Sequence, residues 1–136
     1  MTAEDDEQAG TIIGTRRRNV VAAMREFADA SEVLKKLFEH LGSNVADATA
    51  RIERGTRALD VAQSIGVADR RATLNAAGVR LQKARHEFQL AMFLLAAEEG
   101  ASFAEIARTW GVSRQLVSRI IRGQLDNEPF APPEQT

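Results

Sequence analysis

The side chains best suited to recognising another molecule lie in one short segment near the C-terminus. Arg114 and Gln115 are adjacent, and Arg119 and Arg122 follow within the same segment. An arginine guanidinium can donate two parallel hydrogen bonds to O6 and N7 of guanine, and a glutamine amide can pair with N6 and N7 of adenine. The full candidate set is Ser113, Arg114, Gln115, Ser118, Arg119 and Arg122.

The sequence offers no comparable set for catalysis or for metal binding. It contains no cysteine, and its two histidines, His40 and His86, lie far apart in the chain. We find no glycine-rich phosphate loop, no pairing of a nucleophile with a base and no metal-ligand spacing. We therefore expect a protein that is not an enzyme and that holds no metal and no cofactor.

Two short helices joined by a tight turn are predicted to carry the candidate side chains. Ser102 and Glu105 form the pattern of a capping box at the start of the first helix. Gly111 is predicted to take the left-handed conformation at the turn, and Ser113 to cap the second helix. The apolar residues predicted to face inward from the second helix are Leu116, Val117, Ile120 and Ile121.

The corner between these helices carries a family resemblance. Ala107 lies where two helices would cross closely, and Trp110 and Val112 flank the glycine of the turn. Residues 86–123 resemble the helix-turn-helix family of DNA-binding proteins, and in particular the C-terminal module of resolvase/invertase-type recombinases and small bacterial repressors. The catalytic domain of the recombinases is not present in this sequence, so the resemblance implies DNA binding without strand exchange.

The resemblance implies that the second helix lies in the major groove of double-stranded DNA. Arg114 and Gln115 occupy its first turn, and we expect them to determine sequence preference. Ser118 and Arg119 lie one turn further on and are expected to contact either bases or phosphates.

Phosphate contacts are expected from the flanks of the same helix. Ser113 at its start and Arg122 near its end are predicted to position the protein on the DNA backbone. Arg108 and Thr109 are candidates for additional backbone contacts. The basic run at residues 16–18 is either an arm that seeks phosphates or the minor groove, or a solvated helix face.

The remainder of the chain is predicted to be helical, which makes the fold class all-α. All three prolines follow residue 128, and no run shows the alternation of a strand. We predict one helix over residues 15–41, a second over about 44–62, and a third over about 69–100. The glycines predicted to end helices are Gly42, Gly66, Gly100, Gly111 and Gly123.

The charge distribution divides the chain further. Residues 1–10 carry four acids and no base, whereas residues 100–125 carry four arginines against one glutamate. The formal net charge of -1 thus conceals a basic segment between acidic ends. We predict a disordered acidic tail at 1–14, a helical dimerisation region at 15–85 forming a bundle or coiled-coil-like assembly, a helix-turn-helix domain at 86–125 and a disordered tail at 126–136.

These features together predict a sequence-specific DNA-binding protein. A two-fold dimer doubles the base contacts of a single helix-turn-helix, which favours a homodimeric bacterial or phage-type transcriptional regulator. No export signal and no membrane-spanning run is found, so a cytoplasmic, nucleoid-associated location is expected. The alternatives are an architectural or plasmid-maintenance protein, and an adaptor whose helix-turn-helix binds transcription machinery such as RNA polymerase.

Overall fold

The structure is a computed structural model that describes residues 3–125, with side chains up to residue 123. The all-α prediction is confirmed, because the described residues form five helices and no strand. The predicted tail at 126–136 lies outside the described residues. The helices are α1 (Ala3–Glu53), α2 (Ala58–Ile65), α3 (Val67–Glu98), α4 (Phe103–Trp110) and α5 (Arg114–Leu125).

The long first helix begins earlier and ends later than the sequence predicts. It begins at Ala3, where the sequence predicts a disordered tail, and it continues through Gly42 to Glu53. Three acids in its first turn interact favourably with the helix dipole. A glycine in a helix interior costs only about 1 kcal/mol relative to alanine, which the surrounding helix-forming residues offset at Gly42.

Helix α1 ends in a turn that the sequence does not predict. Gly55 has φ of +90°, and its N–H donates to the carbonyl of Ile52 at 3.0 Å. The predicted second helix over 44–62 is therefore wrong, since its first part belongs to α1 and its last part to α2. The predicted ends at Gly66 and Gly100 are confirmed by positive φ angles, whereas residue 123 lies inside α5.

The described helices form two compact units. The helix-turn-helix unit contains the described residues up to Phe27 together with those from Lys83 onward, and the central unit contains Ala28–Gln82. Helices α1 and α3 each contribute residues to both.

A closely packed core fills the helix-turn-helix unit. Phe93 and Val117 are fully enclosed, and Ile106 and Ala107 complete the buried cluster. The N-terminal half of α1 joins this unit, because the rings of Phe27 and Phe88 stack with centroids 6.1 Å apart. The partly buried residues packed against the core are Ala96, Ala97, Ala101, Phe103, Trp110, Val112, Ile120 and Ile121.

The central unit is packed differently. Among its described residues only Ala30, Val61 and Ala77 are buried. One hydrogen bond connects α1 to α2, from Nη1 of Arg51 to Oγ of Ser64 at 2.8 Å. Much of the apolar surface of this unit faces solvent in a single chain, namely Val33, Phe38, Leu41, Val45, Ile52, Leu59, Val67 and Val79.

Candidate nucleic-acid interface

The first helix of the motif is set by two local signals, and both are confirmed. Oγ of Ser102 accepts a hydrogen bond from the N–H of Glu105 at 3.1 Å, which fixes the start of α4. Gly111 follows α4 with φ of +66°. This left-handed conformation turns the chain towards α5, and it strains any residue that has a Cβ atom.

The second helix begins at a serine cap, as the sequence predicts. Oγ of Ser113 accepts a hydrogen bond from the N–H of Leu116 at 3.1 Å. The turn before it is closed by the N–H of Val112, which donates to the carbonyl of Ala107 at 3.0 Å. Side chain and backbone together fix where α5 starts relative to α4.

Aromatic packing holds the corner from the inside. The Trp110 ring meets the edge of Phe93 at 5.2 Å between centroids and lies 5.9 Å from Phe88. Phe88 in turn stacks on Phe27 of α1. The sequence predicts Trp110 beside the turn, but it does not predict the contact of Phe27 with Phe88, because helical spacing alone does not reveal which helices meet.

The outer face of α5 brings together five of the six predicted site residues. Arg114, Gln115, Arg119 and Arg122 are exposed, and Ser118 is half-buried. These five residues line one shallow groove, and Gly123 completes it. Ser113 does not line this groove, because its side chain is engaged at the helix start. From the sequence, Gly123 is predicted to end a helix, but it lies within α5 and belongs to this face.

The groove is cationic. Three arginines line it, and within residues 3–123 no carboxylate does. Among the described residues, the acid nearest in sequence is Glu105, which lies in the first turn of α4. Within the described residues, the face therefore carries an excess of positive charge.

The basic run at residues 16–18 is part of α1 and does not form a separate arm. Nη2 of Arg17 pairs with Oε2 of Glu99 at 2.9 Å, and Nη2 of Arg18 donates to Oγ1 of Thr15 at 3.1 Å. Both contacts lie within the helix-turn-helix unit. At least two of the three arginines thus have internal partners.

One histidine of this unit has a perturbed pKa. Partial burial, together with the neighbouring charge of Arg85, lowers the pKa of His86 below its usual 6.5. No group of three or more potential metal-ligating side chains occurs in the part of the chain that the structure describes. In that same part, no helix has the length and apolar character needed to cross a membrane.

Comparison with known proteins supports the assignment of the motif. Residues 83–129 match a family model described as a homeodomain-like domain. This chain therefore carries a helix-turn-helix segment of the DNA-binding type. The match begins at the residue where α3 enters the helix-turn-helix unit, and it covers about a third of the chain. No curated protein and no solved structure matches the chain.

Proposed function

We propose that the protein binds double-stranded DNA in a sequence-specific manner and acts as a homodimeric transcriptional regulator without enzymatic activity. The observation that carries this proposal is the exposed face of α5, where Arg114, Gln115 and Arg119 line one groove to which no described residue contributes a carboxylate. A rigid helix with such a face, held by a buried core, matches the requirements of a recognition helix in the major groove.

Base recognition is assigned to the first turn of α5. Arg114 and Gln115 are both exposed there and point away from the core around Val117. A bidentate contact to a base contributes about 1–3 kcal/mol of discrimination. Ser118 and Arg119 extend this face by one helical turn.

Positioning on the phosphate backbone is assigned to the two ends of α5. The backbone amides after Ser113 lie at a helix N-terminus, where the helix dipole favours a phosphate. Arg122 lies in the last turn and provides a flexible cation. These contacts give affinity without sequence information.

A homodimer follows from the small size of the motif. One helix-turn-helix reads few base pairs, and a two-fold pair reads both halves of a palindromic site. The helices that precede the motif provide the remaining surface for such pairing. A regulator of this kind would act in the cytoplasm, at the nucleoid.

The proposal is tested by retention of genomic DNA. The purified protein is incubated with sheared DNA from its source organism, and the retained fragments are sequenced. The test variant is Arg114→Ala/Gln115→Ala, and the matched control is Arg57→Ala/Gln63→Ala, which removes an exposed arginine and an exposed glutamine from the central unit.

We expect the wild type and the control to enrich a short inverted repeat that the test variant loses. Loss of one bidentate contact lowers affinity for the selected site by about 10-fold to 100-fold. If the wild type and the test variant instead retain all fragments to the same extent, and release them as the salt concentration rises, the protein is architectural. Failure of the wild type to retain DNA would overturn the proposal and favour an adaptor that binds transcription machinery.

A further inference from the structure

An exposed apolar stripe runs along α1 in the central unit. Phe38, Leu41, Val45, Ala48 and Ile52 follow one another at alternating spacings of three and four residues. This spacing is the a/d pattern of a coiled coil, and it places all five side chains on one side of the helix. We call this set the α1 seam.

The α1 seam is only partly covered by its own chain, since Ala48 is half-buried and the other four residues are exposed. Phe38 is 54% exposed, Val45 55% and Ile52 48%. Large apolar side chains in a regular stripe are costly to leave in water, and such a patch marks an interaction surface. The observation is independent of the motif in α4 and α5, because all five residues belong to the central unit.

We infer that the α1 seam is the surface through which two copies of this chain pair. The inference rests on the proposed homodimer and adds the residues that form it. The occupant is a second copy because the flanks of the seam suit pairing with an identical surface. Across two heptads these flanks are Gly42, Asn44, Thr49 and Arg51.

Charge on these flanks decides between classes of partner. Among the four flanking residues only Arg51 is charged, and its guanidinium already donates to Ser64 of the same chain. Two identical seams can therefore meet without like charges facing each other. A nucleic acid would require a row of cations, and an oppositely charged protein would require a flank of one sign. This face carries Arg51 alone on the flanks of the seam, and the oppositely charged Lys35 and Glu39 at its N-terminal end.

The available area sets the expected strength of the pair. A groove that contains Leu34, Phe38 and Leu81 continues the seam towards the N-terminus, and one cation and one acid, Lys35 and Glu39, also line it. From Leu34 to Ile52 the helix rises about 27 Å, and a face one helix wide, about 10 Å, covers roughly 270 Å² per copy in projection. A standard interface buries about 800 Å² per partner. We therefore expect a dimer that dissociates on dilution and that binding to a two-fold DNA site strengthens.

The first test compares two valines of the central unit. Val45→Glu places a charge in the seam, and Val79→Glu places the same charge at a valine that is 67% exposed. Val79 is two residues from the buried Ala77, so it faces away from the packed side of α3. The mass of each full-length protein is measured by light scattering over a range of concentrations, with and without the selected DNA.

We expect wild type and Val79→Glu to reach twice the chain mass of 14.9 kDa, and Val45→Glu to remain at 14.9 kDa with unchanged helical circular dichroism. A wild type that stays monomeric in both conditions overturns the inference. A Val45→Glu protein that dimerises like the wild type also overturns it.

A second test is insensitive to any folding defect caused by a buried charge. Because the chain contains no cysteine, Val45→Cys and Val79→Cys each provide a single thiol. A short bismaleimide reagent is expected to convert Val45→Cys into covalent dimers and to leave Val79→Cys monomeric. Equal cross-linking at both positions contradicts the assignment of the seam.

The two proposals fail in different ways. A dimer that retains no DNA leaves the seam intact and overturns DNA binding. A monomer that still enriches a DNA sequence overturns the seam and leaves DNA binding intact.

Discussion

In their described residues, the helix-turn-helix unit and the central unit both consist of helices joined by turns, but they differ in what they bury. The first encloses Phe93, Ile106 and Val117 within one chain. The second encloses two alanines and Val61, and leaves eight large apolar side chains exposed. A recognition helix must be held rigidly, which requires a complete core, whereas a surface for association needs apolar side chains that remain accessible.

The difference is expected to appear most strongly in a pair of phenylalanine truncations. Phe93 is fully buried and Phe38 is 54% exposed. Phe93→Ala leaves a cavity and should lower the free energy of unfolding by about 3–5 kcal/mol. Phe38→Ala should change it by about 0.5 kcal/mol or less when the protein is dilute.

Chemical denaturation of both variants at low protein concentration provides the measurement. Repeating it at high concentration should reveal a loss for Phe38→Ala, because the dimer then contributes to stability. If both variants lose the same free energy of unfolding in dilute solution, the two units do not differ in packing as described.

Two glycines give effects of opposite sign. Gly111 has φ of +66° and enough open space to admit a Cβ atom, so Gly111→Ala is opposed by backbone strain alone, at about 1–2 kcal/mol. Gly78 lies inside α3, also with open space, and Gly78→Ala should stabilise the protein by about 0.5–1 kcal/mol. Thermal melting should therefore shift down for the first variant and up for the second. A stabilising Gly111→Ala would contradict the left-handed turn.

The smallest effect concerns the response of the helix-turn-helix unit to pH. Burial and Arg85 lower the pKa of His86, so the unfolded chain takes up a proton before the folded protein does. The contribution of His86 to the free energy of unfolding is fully present above pH 6.5. It is lost as the pH falls from 6.5 towards the lower pKa that His86 has in the folded protein.

The His86→Gln variant removes this titration. Between about pH 7.5 and about pH 5.5, the melting temperature of the wild type should fall further than that of the variant. Equal decreases would show that His86 titrates alike in both states.

The sequence predicts the motif well because its determinants are local. The serine caps at Ser102 and Ser113 act within three residues, and Gly111 is required by the conformation of a single turn. The acidic residues in the first turn of α1 are harder to interpret from the sequence. Glu4 and Asp5 resemble a solvated tail in composition, yet the same charges stabilise the start of a helix.

The boundaries of the long helices could not be predicted from the sequence for a related reason. Gly42 and Gly55 both follow apolar, helix-forming stretches, but only Gly55 adopts a positive φ. Which of the two glycines follows the end of α1 depends on contacts between α1 and α2, such as the hydrogen bond from Arg51 to Ser64. Arg17 and Phe27 likewise have partners that are distant in sequence, namely Glu99 and Phe88. The DNA contacts of the six candidate residues stay predictions, namely those of Ser113, Arg114, Gln115, Ser118, Arg119 and Arg122.

The aromatic corner of the motif has an optical consequence. Trp110 is the only tryptophan, the chain has no tyrosine, and this ring packs against Phe88 and Phe93 inside the helix-turn-helix unit. Its fluorescence emission therefore senses the melting of that unit alone, whereas far-ultraviolet ellipticity averages over every helix. If the two units unfold as independent blocks, the two signals will give separate midpoints in one sample, without any label.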